Sequence, residues 1–240
     1  MISSNTASWS ALPVEMKLAV TSSLDEHDVK ALSLVDHNTY TACLPVIFKH
    51  VRLNTGLALQ NFLDNVPRDY HRFIHSLYIN TYSENDTQIQ MKYLELTEMI
   101  TSLLTGCRCL EDLTLSIAGS LNYTFVSCFR QLSELKYLSI CNAVPEDVNP
   151  LSERFVVSIA ASLPKLERLS LDRVSRSAMH APELRGAYPY VPLVLNDDDI
   201  PDHPTLGSDL YLPALLRIPT LRELTIRTHT LVILDGPPKT

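Results

Sequence analysis

Residues 110–115 read Leu110-Glu111-Asp112-Leu113-Thr114-Leu115. Leucine holds the first, fourth and sixth places, and polar residues fill the rest. The last three places alternate apolar and polar, the period of a strand with one buried face. The pattern LxxLxL returns as Ile74, Leu77, Ile79; as Leu135, Leu138, Ile140; as Leu166, Leu169, Leu171; and as Leu221, Leu224, Ile226. Its middle residues are 36 (77 to 113), 25 (113 to 138), 31 (138 to 169) and 55 (169 to 224) positions apart. Val51 and Leu53 supply an earlier strand, with Val51 26 positions before Leu77. The shorter steps fit repeats of about 20–29 residues, and the longer ones need insertions.

Helical stretches separate the copies. They are 57–66, ended by Pro67; 92–104; 123–132; 153–163, ended by Pro164; and 210–218, interrupted by Pro213. Strand and helix in alternation predict an α/β fold, with parallel strands joined by crossovers. One repeat cannot bury its own apolar face, so stacking must make the core and the pattern leucines must line it. Residues 51–234 thus resemble a short, irregular leucine-rich-repeat solenoid, with strands on the concave face and helices on the convex one. Regular repeats often carry Asn or Cys three residues past the pattern. Here those places hold Tyr82, Ala118, Ala143, Val174 and His229, so the curvature is expected to be uneven. Residues 175–208 interrupt the array with five of the chain's 15 prolines and Asp197-Asp198-Asp199. They are expected to form a surface loop. Residues 231–234 could add a last strand before a tail at 235–240.

Side chains that alternate with the core leucines must point to the concave face. Among them Tyr78, Asp112, Tyr137, Arg168, Asp172, Glu223 and Arg227 are the candidates for partner binding. Tyrosine and arginine are common interface anchors.

The front of the chain reads differently. In 12–53, Pro13 suits a helix's first turn, Glu15 the positive end of its dipole, and Asp25 an N-cap with Asp28 three residues on. A second helix carries Val29, Leu32, Leu34 and Val35. A third is expected from about Asn38 to Leu44, stopping before Pro45. Three short helices have a thin core and leave apolar surface for a partner. The motifs Leu12-Pro13-Val14-Glu15, Val29…Leu32-Ser33-Leu34-Val35 and Pro45…Phe48…Val51-Arg52-Leu53 resemble a fungal-type F-box, placed at residues 10–50 after a flexible 1–9. The F-box docks the Skp-type adaptor of cullin-RING, SCF-type ubiquitin ligases. The resemblance implies that Leu12, Pro13, Glu15, Leu24, Leu32 and Val35 contact the adaptor and that Phe48 supports the module. Asp36-His37 stands where the motif usually has a cysteine or serine and a basic residue, and Tyr40 where tryptophan is common.

Composition sets the remaining bounds. A net charge of -7 argues against nucleic acid as partner. No run approaches the roughly 18 apolar residues of a membrane span. The start lacks a secretory pattern. Five scattered cysteines, Cys43, Cys107, Cys109, Cys128 and Cys141, suggest reduced thiols in cytosol or nucleus. Cys107 and Cys109 are too close for a zinc CxxC pair, so no metal is expected. No GxSxG, P-loop, GxGxxG or HExxH occurs, so neither catalysis nor a cofactor is expected. The weak alternative is the acidic run with His203. The expected function is a substrate-receptor subunit of a ubiquitin ligase, its target unnamed by the sequence. The alternative is a repeat scaffold with a degenerate F-box, independent of any ligase.

Overall fold

The computed structural model describes residues 8–81, 93–117, 124–142, 151–152, 156, 159–172, 174–175, 215 and 218–227. The expected acidic loop, the strand at 231–234, the tail and most of the helix at 210–218 lie outside them.

The amino-terminal unit holds a 3-10 turn, η1 (Trp9–Ala11), then α1 (Val14–Ser23), α2 (Glu26–Ser33) and α3 (His37–Ile47). Its helix starts are chemically marked. Asp25 Oδ1 accepts the Asp28 N–H at 2.8 Å. Asp36 Oδ1 accepts the Thr39 N–H at 2.8 Å, and its Oδ2 accepts the Thr39 hydroxyl at 2.9 Å. Both are side-chain caps of amides that no helical carbonyl can reach. Trp9, placed by the sequence in the leading segment, donates its indole N–H to Thr39 Oγ1 at 2.8 Å and ties η1 to α3. α1 and α2 both pack on α3, whose Ala42, Cys43 and Leu44 are buried.

One boundary differs from expectation. α3 does not stop before Pro45; it runs through it to Ile47. Proline removes one helical hydrogen bond and costs about 3 kcal/mol in a helix interior. Here the next turn closes regardless, with the Phe48 N–H donating to the Leu44 carbonyl at 3.0 Å. Burial of residues 42–44 and packing of Phe48 on the main core outweigh the local break.

The repeats follow. β1 (His50–Leu53) leads into α4 (Gly56–Asn65), capped by Thr55 Oγ1 on the Ala58 N–H at 3.0 Å. Next come a 3-10 helix, η2 (Arg68–Phe73), β2 (Ser76–Asn80), α5 (Tyr93–Gly106), β3 (Asp112–Ile117), α6 (Thr124–Phe129) and β4 (Tyr137–Asn142). The described part ends with β5 (Leu151–Ser152), β6 (Arg168–Asp172), β7 (Val174–Ser175) and β8 (Glu223–Arg227). Six strands form one sheet in the order β1-β2-β3-β4-β6-β8, every pair parallel. β5 and β7 make a separate parallel pair that the sequence did not suggest. The fold is therefore mixed α/β with a sequentially wound parallel sheet, as a stack of leucine-rich repeats requires.

The register explains the pattern. Val51, Leu77, Leu113, Leu138, Leu169 and Leu224 align in one row across the sheet. Leu53, Ile79, Leu115, Ile140, Leu171 and Ile226 align in a second. Both rows are buried except at the outer strand β8. Ile74, Leu110, Leu135 and Leu166, the pattern's first residues, are fully buried at the strand entrances. Leu59, Ile100, Leu103, Leu104, Phe125 and Phe129 cover the rows from the helical side. Among the described residues, no helix covers the opposite face of the sheet, the open face hereafter.

A backbone ladder runs along the entrances. The carbonyls of Lys49, His75, Glu111, Lys136 and Glu167 each accept two N–H groups from the following repeat. His75 O, for example, takes the Glu111 and Asp112 amides at 2.8 and 3.0 Å. This ladder satisfies polar backbone where the chain enters each strand. Of the places where a polar turn residue was missed, only Val174 is described, and it lies in β7.

η2, also absent from the sequence reading, joins the helical unit to the repeats. Tyr70 meets Tyr40 of α3 at 6.5 Å and Phe48 at 5.4 Å between ring centres. Phe48 meets Phe62 of α4 at 6.3 Å, and Phe62 stacks on His71 at 5.6 Å. His71 is 1% exposed, and neither ring nitrogen has a hydrogen-bond partner among the described residues. Burial, with a smaller contribution from the Arg68 charge, pushes its pKa below the ordinary 6.5. A Cβ at Gly106, the end of α5, would stand 2.7 Å from His71 Cβ and 2.8 Å from Nδ1.

Two outcomes follow. Gly106→Ala forces that contact on a ring that cannot swing away, and it should cost about 1–3 kcal/mol in urea denaturation. A second His71→Gly change, which removes the Cβ as well as the ring, should recover part of the loss, so strictly additive losses would show that the two do not touch. The unfolded chain protonates His71 near 6.5, the folded one only at lower pH. Stability from the neutral ring is therefore complete above 6.5 and is lost as pH falls below it. The melting temperature of the wild type should drop between pH 7 and pH 5, and that of His71→Leu should drop visibly less; equal slopes would assign the dependence elsewhere.

Candidate functional site

Two surfaces carry the residues singled out from sequence. The first is the outside of α1, α2 and the turn after α2. Leu12, Leu24 and Leu32 are half-buried there, and Pro13, Glu15 and Val35 are exposed. Leu32 and Leu24 thus help hold the module together, while Val35, 67% exposed, has nothing covering it. The structure adds residues that the sequence reading did not select: Val14, Met16, Val20 and Leu34, the last 86% exposed. Of the six exposed large apolar side chains among the described residues, only Leu57 lies outside residues 14–35. The repeats bury their leucines, so the concentration is a property of the helical unit. Asp36, in the place where the motif usually has a cysteine or serine, caps α3 through its side chain, as a serine also could.

The second surface is the open face of the sheet. His50, Ser76, Asp112, Tyr137, Arg168 and Glu223 form one row across it. Arg52, Tyr78, Thr114, Ser139, Ser170 and Thr225 form the next. Asp172 and Arg227 lie side by side in the third. All seven partner-binding candidates therefore share this face, as the alternation predicted. Tyr78, Tyr137, Asp112 and Asp172 are half-buried; Arg168, Glu223 and Arg227 are exposed.

The sequence reading missed Arg52. Its signal was present, because Val51 and Leu53 on the core side leave Arg52 on the other. Its guanidinium carbon lies 5.5 Å from the Tyr78 ring centre on the neighbouring strand. Arg168 repeats the arrangement 5.0 Å over Tyr137. Stacking a cation on a ring face contributes about 0.5–1 kcal/mol at exposed sites, and it holds the long side chain in one place. Between the two pairs stands Asp112. Burial pushes its pKa up, against smaller opposing pulls from Arg168 and His50. The Cys141 thiol, also on this face, lies 3.5 Å from Asp172 Oδ2.

Reactive groups elsewhere are quiet. All five cysteines are free thiols. Burial pushes Cys107 and Cys128 up to about 12, and their thiols donate to the Leu103 and Phe125 carbonyls. Among the described residues one group could share a cation, Asp25, His27 and Asp28, all exposed; Asp25 already holds the Asp28 amide. No described helix is long and apolar enough to cross a membrane.

No family model matches this chain, and no curated protein matches it. Among solved structures, the crystal structure of an internalin C2 from Listeria monocytogenes is similar at 15% identity, over 89% of this chain and 96% of that one, with a TM-score of 0.28. The repeat architecture rests on this chain's own strand order, register and buried leucines.

Proposed function

We propose that this chain is a substrate-receptor subunit of a cullin-RING, SCF-type ubiquitin ligase. The helical unit is an F-box that docks a Skp-type adaptor, and the open face of the repeats holds a target protein. One observation carries the reading: five of the six exposed large apolar side chains among the described residues, Val14, Met16, Val20, Leu34 and Val35, belong to α1 and the turn after α2. Leaving such side chains in water forgoes about 1.5–3 kcal/mol each relative to burial. Exposed apolar side chains concentrated in one small unit favour an interaction site there. The LPxE, LxxLxLV and PxxF motifs supply the identity of the partner by resemblance. Helix-borne apolar anchors entering a partner groove would provide the affinity.

The contribution to ubiquitin transfer is proximity. A receptor that holds a target beside the loaded enzyme raises the effective concentration of target lysines, and the bond-making chemistry resides in other subunits.

The test is a pull-down of the full chain with purified Skp-type adaptor, wild type beside Leu34→Ser/Val35→Asp. Both positions are exposed, so the double variant should keep the wild-type melting temperature within a few degrees. It should retain less than about a tenth of the adaptor binding, since two buried apolar anchors exceed 1.4 kcal/mol. No binding by folded wild-type protein, or undiminished binding by the variant, would overturn the ligase reading. A scaffold independent of the ligase would then stand in its place.

A further inference from the structure

On the open face two arginines lie over tyrosine rings, as Arg72 lies 4.8 Å over Phe73 in η2. Elsewhere, Lys30 contacts Glu26, Lys136 contacts Glu111 at 2.8 Å, and Lys165 contacts Glu134 at 2.7 Å. On the face, Arg168 has Glu223 as its in-register neighbour on β8, yet it lies over Tyr137 on the other side. Arg52 lies over Tyr78. Neither guanidinium makes an ion pair among the described residues, so both retain their fork of N–H donors while the aromatic ring fixes the stem. A preordered arginine with open donors is built for carboxylate or phosphate oxygens, which it meets two at a time.

The floor between them suits a crossing chain. Thr114, Ser139 and Ser170 continue the row of Arg52 and Tyr78 with short hydroxyl side chains, leaving room above the strands. Asp112 sits on β3, between the two tyrosine-bearing strands, and its half-buried carboxylate makes no hydrogen bond among the described residues. It can accept a backbone N–H from a segment passing over it.

We propose that the open face binds an extended, acidic polypeptide segment, with one anionic side chain on Arg52 and a second on Arg168. This deepens the receptor reading by naming the chemistry of the target, and it rests on that reading only for the identity of the face. Geometry sets the spacing. Tyr78 and Tyr137 are two strands apart, roughly 10 Å, and Arg52 and Arg168 stand on the first and fifth strands of the sheet, roughly 19 Å apart at the backbone. An extended chain advances about 3.3 Å per residue, so the two anions stand roughly three to six residues apart. Carboxylate and phosphate share the chemistry that an arginine fork reads.

The test is selection of a displayed library of random 12-residue peptides against the full chain, in parallel with Arg52→Gln/Arg168→Gln. Both arginines are exposed and remote from the core, so circular dichroism and melting temperature should match the wild type. Wild-type selections should enrich peptides with two acidic residues at that spacing, and the double variant should not. A synthetic winner should bind the wild type at least about tenfold more tightly than either single variant, the order expected of one charge-assisted hydrogen bond. Remade with phosphoserine at the acidic places, tighter binding assigns phosphate and equal or weaker binding assigns carboxylate. Absence of acidic enrichment, or equal enrichment by the double variant, overturns the proposal. The adaptor pull-down reads the other end of the molecule. Failure here with intact adaptor binding removes the acidic segment alone, and the converse removes the ligase.

Discussion

Everything in this molecule depends on one constraint: a single strand-and-helix repeat has an apolar side that it cannot cover by itself. Leu113 and Leu115 are buried because Leu77 and Ile79 lie in register on one side and Leu138 and Ile140 on the other. Each such leucine contributes about 1.5–3 kcal/mol when fully removed from water. The gain exists only when the neighbours are present, so stability is a property of the stack. The doubly used carbonyls at Lys49, His75, Glu111, Lys136 and Glu167 follow from the same stacking. With the register fixed by leucines, the backbone at each strand entrance meets the next one at hydrogen-bond distance.

The same constraint explains why the helical unit is joined as it is. β1 is the sheet's end strand, and the chain reaches it directly from α3. Phe48 lies at that turn and extends the repeat core toward Tyr70 and Tyr40. The joint is aromatic and close-packed, which resists hinge motion better than a polar linker would. His71 is its unusual member. A buried imidazole without a hydrogen-bond partner costs free energy that a leucine would not. It is held by stacking on Phe62 and by the close approach of α5 that Gly106 permits. The orientation of the two candidate surfaces is therefore set by packing.

Much of this was legible in the sequence, for a physical reason. The period-2 alternation of LxxLxL is local, and it assigns each strand residue to a face without knowledge of the rest. That is why all seven concave-face residues fell on the open face. Asp25 marks a helix start through a side chain three residues from the amide it caps, which is equally local. What sequence reading missed depended on distant contacts. Pro45 signalled a stop, and only the burial of Ala42, Cys43 and Leu44 carried α3 past it. η2 has no apolar period, and it exists because His71, Tyr70 and Ile74 are claimed by other elements. Exposure of Leu34 and Met16 was also out of reach, because helical spacing says which residues share a face and not which face is covered. The residues that the resemblance implies for adaptor contact therefore divide into half-buried Leu12, Leu24 and Leu32 and exposed Pro13, Glu15 and Val35, a division that spacing alone does not give.

The two surfaces differ in chemistry, and the difference bears on how a receptor would work. The helical unit offers exposed aliphatic side chains set among charges such as Glu15, Glu26, Asp28 and Lys30, a surface on which burial of the aliphatic groups would supply the driving force. The open face offers tyrosines, hydroxyls and arginines stacked in place, a surface whose contacts are polar, directional and weakened by salt. Affinity on the first would come from a few apolar anchors removed from water and fitted to a partner groove. Affinity on the second depends on where a partner places its charges. A subunit that must stay with its ligase while exchanging targets needs that division. The parallel sheet would allow it, because its strands from β1 to β8 keep the side chains of one face out of the core, while the aromatic joint packs the amino-terminal helices against the first repeat.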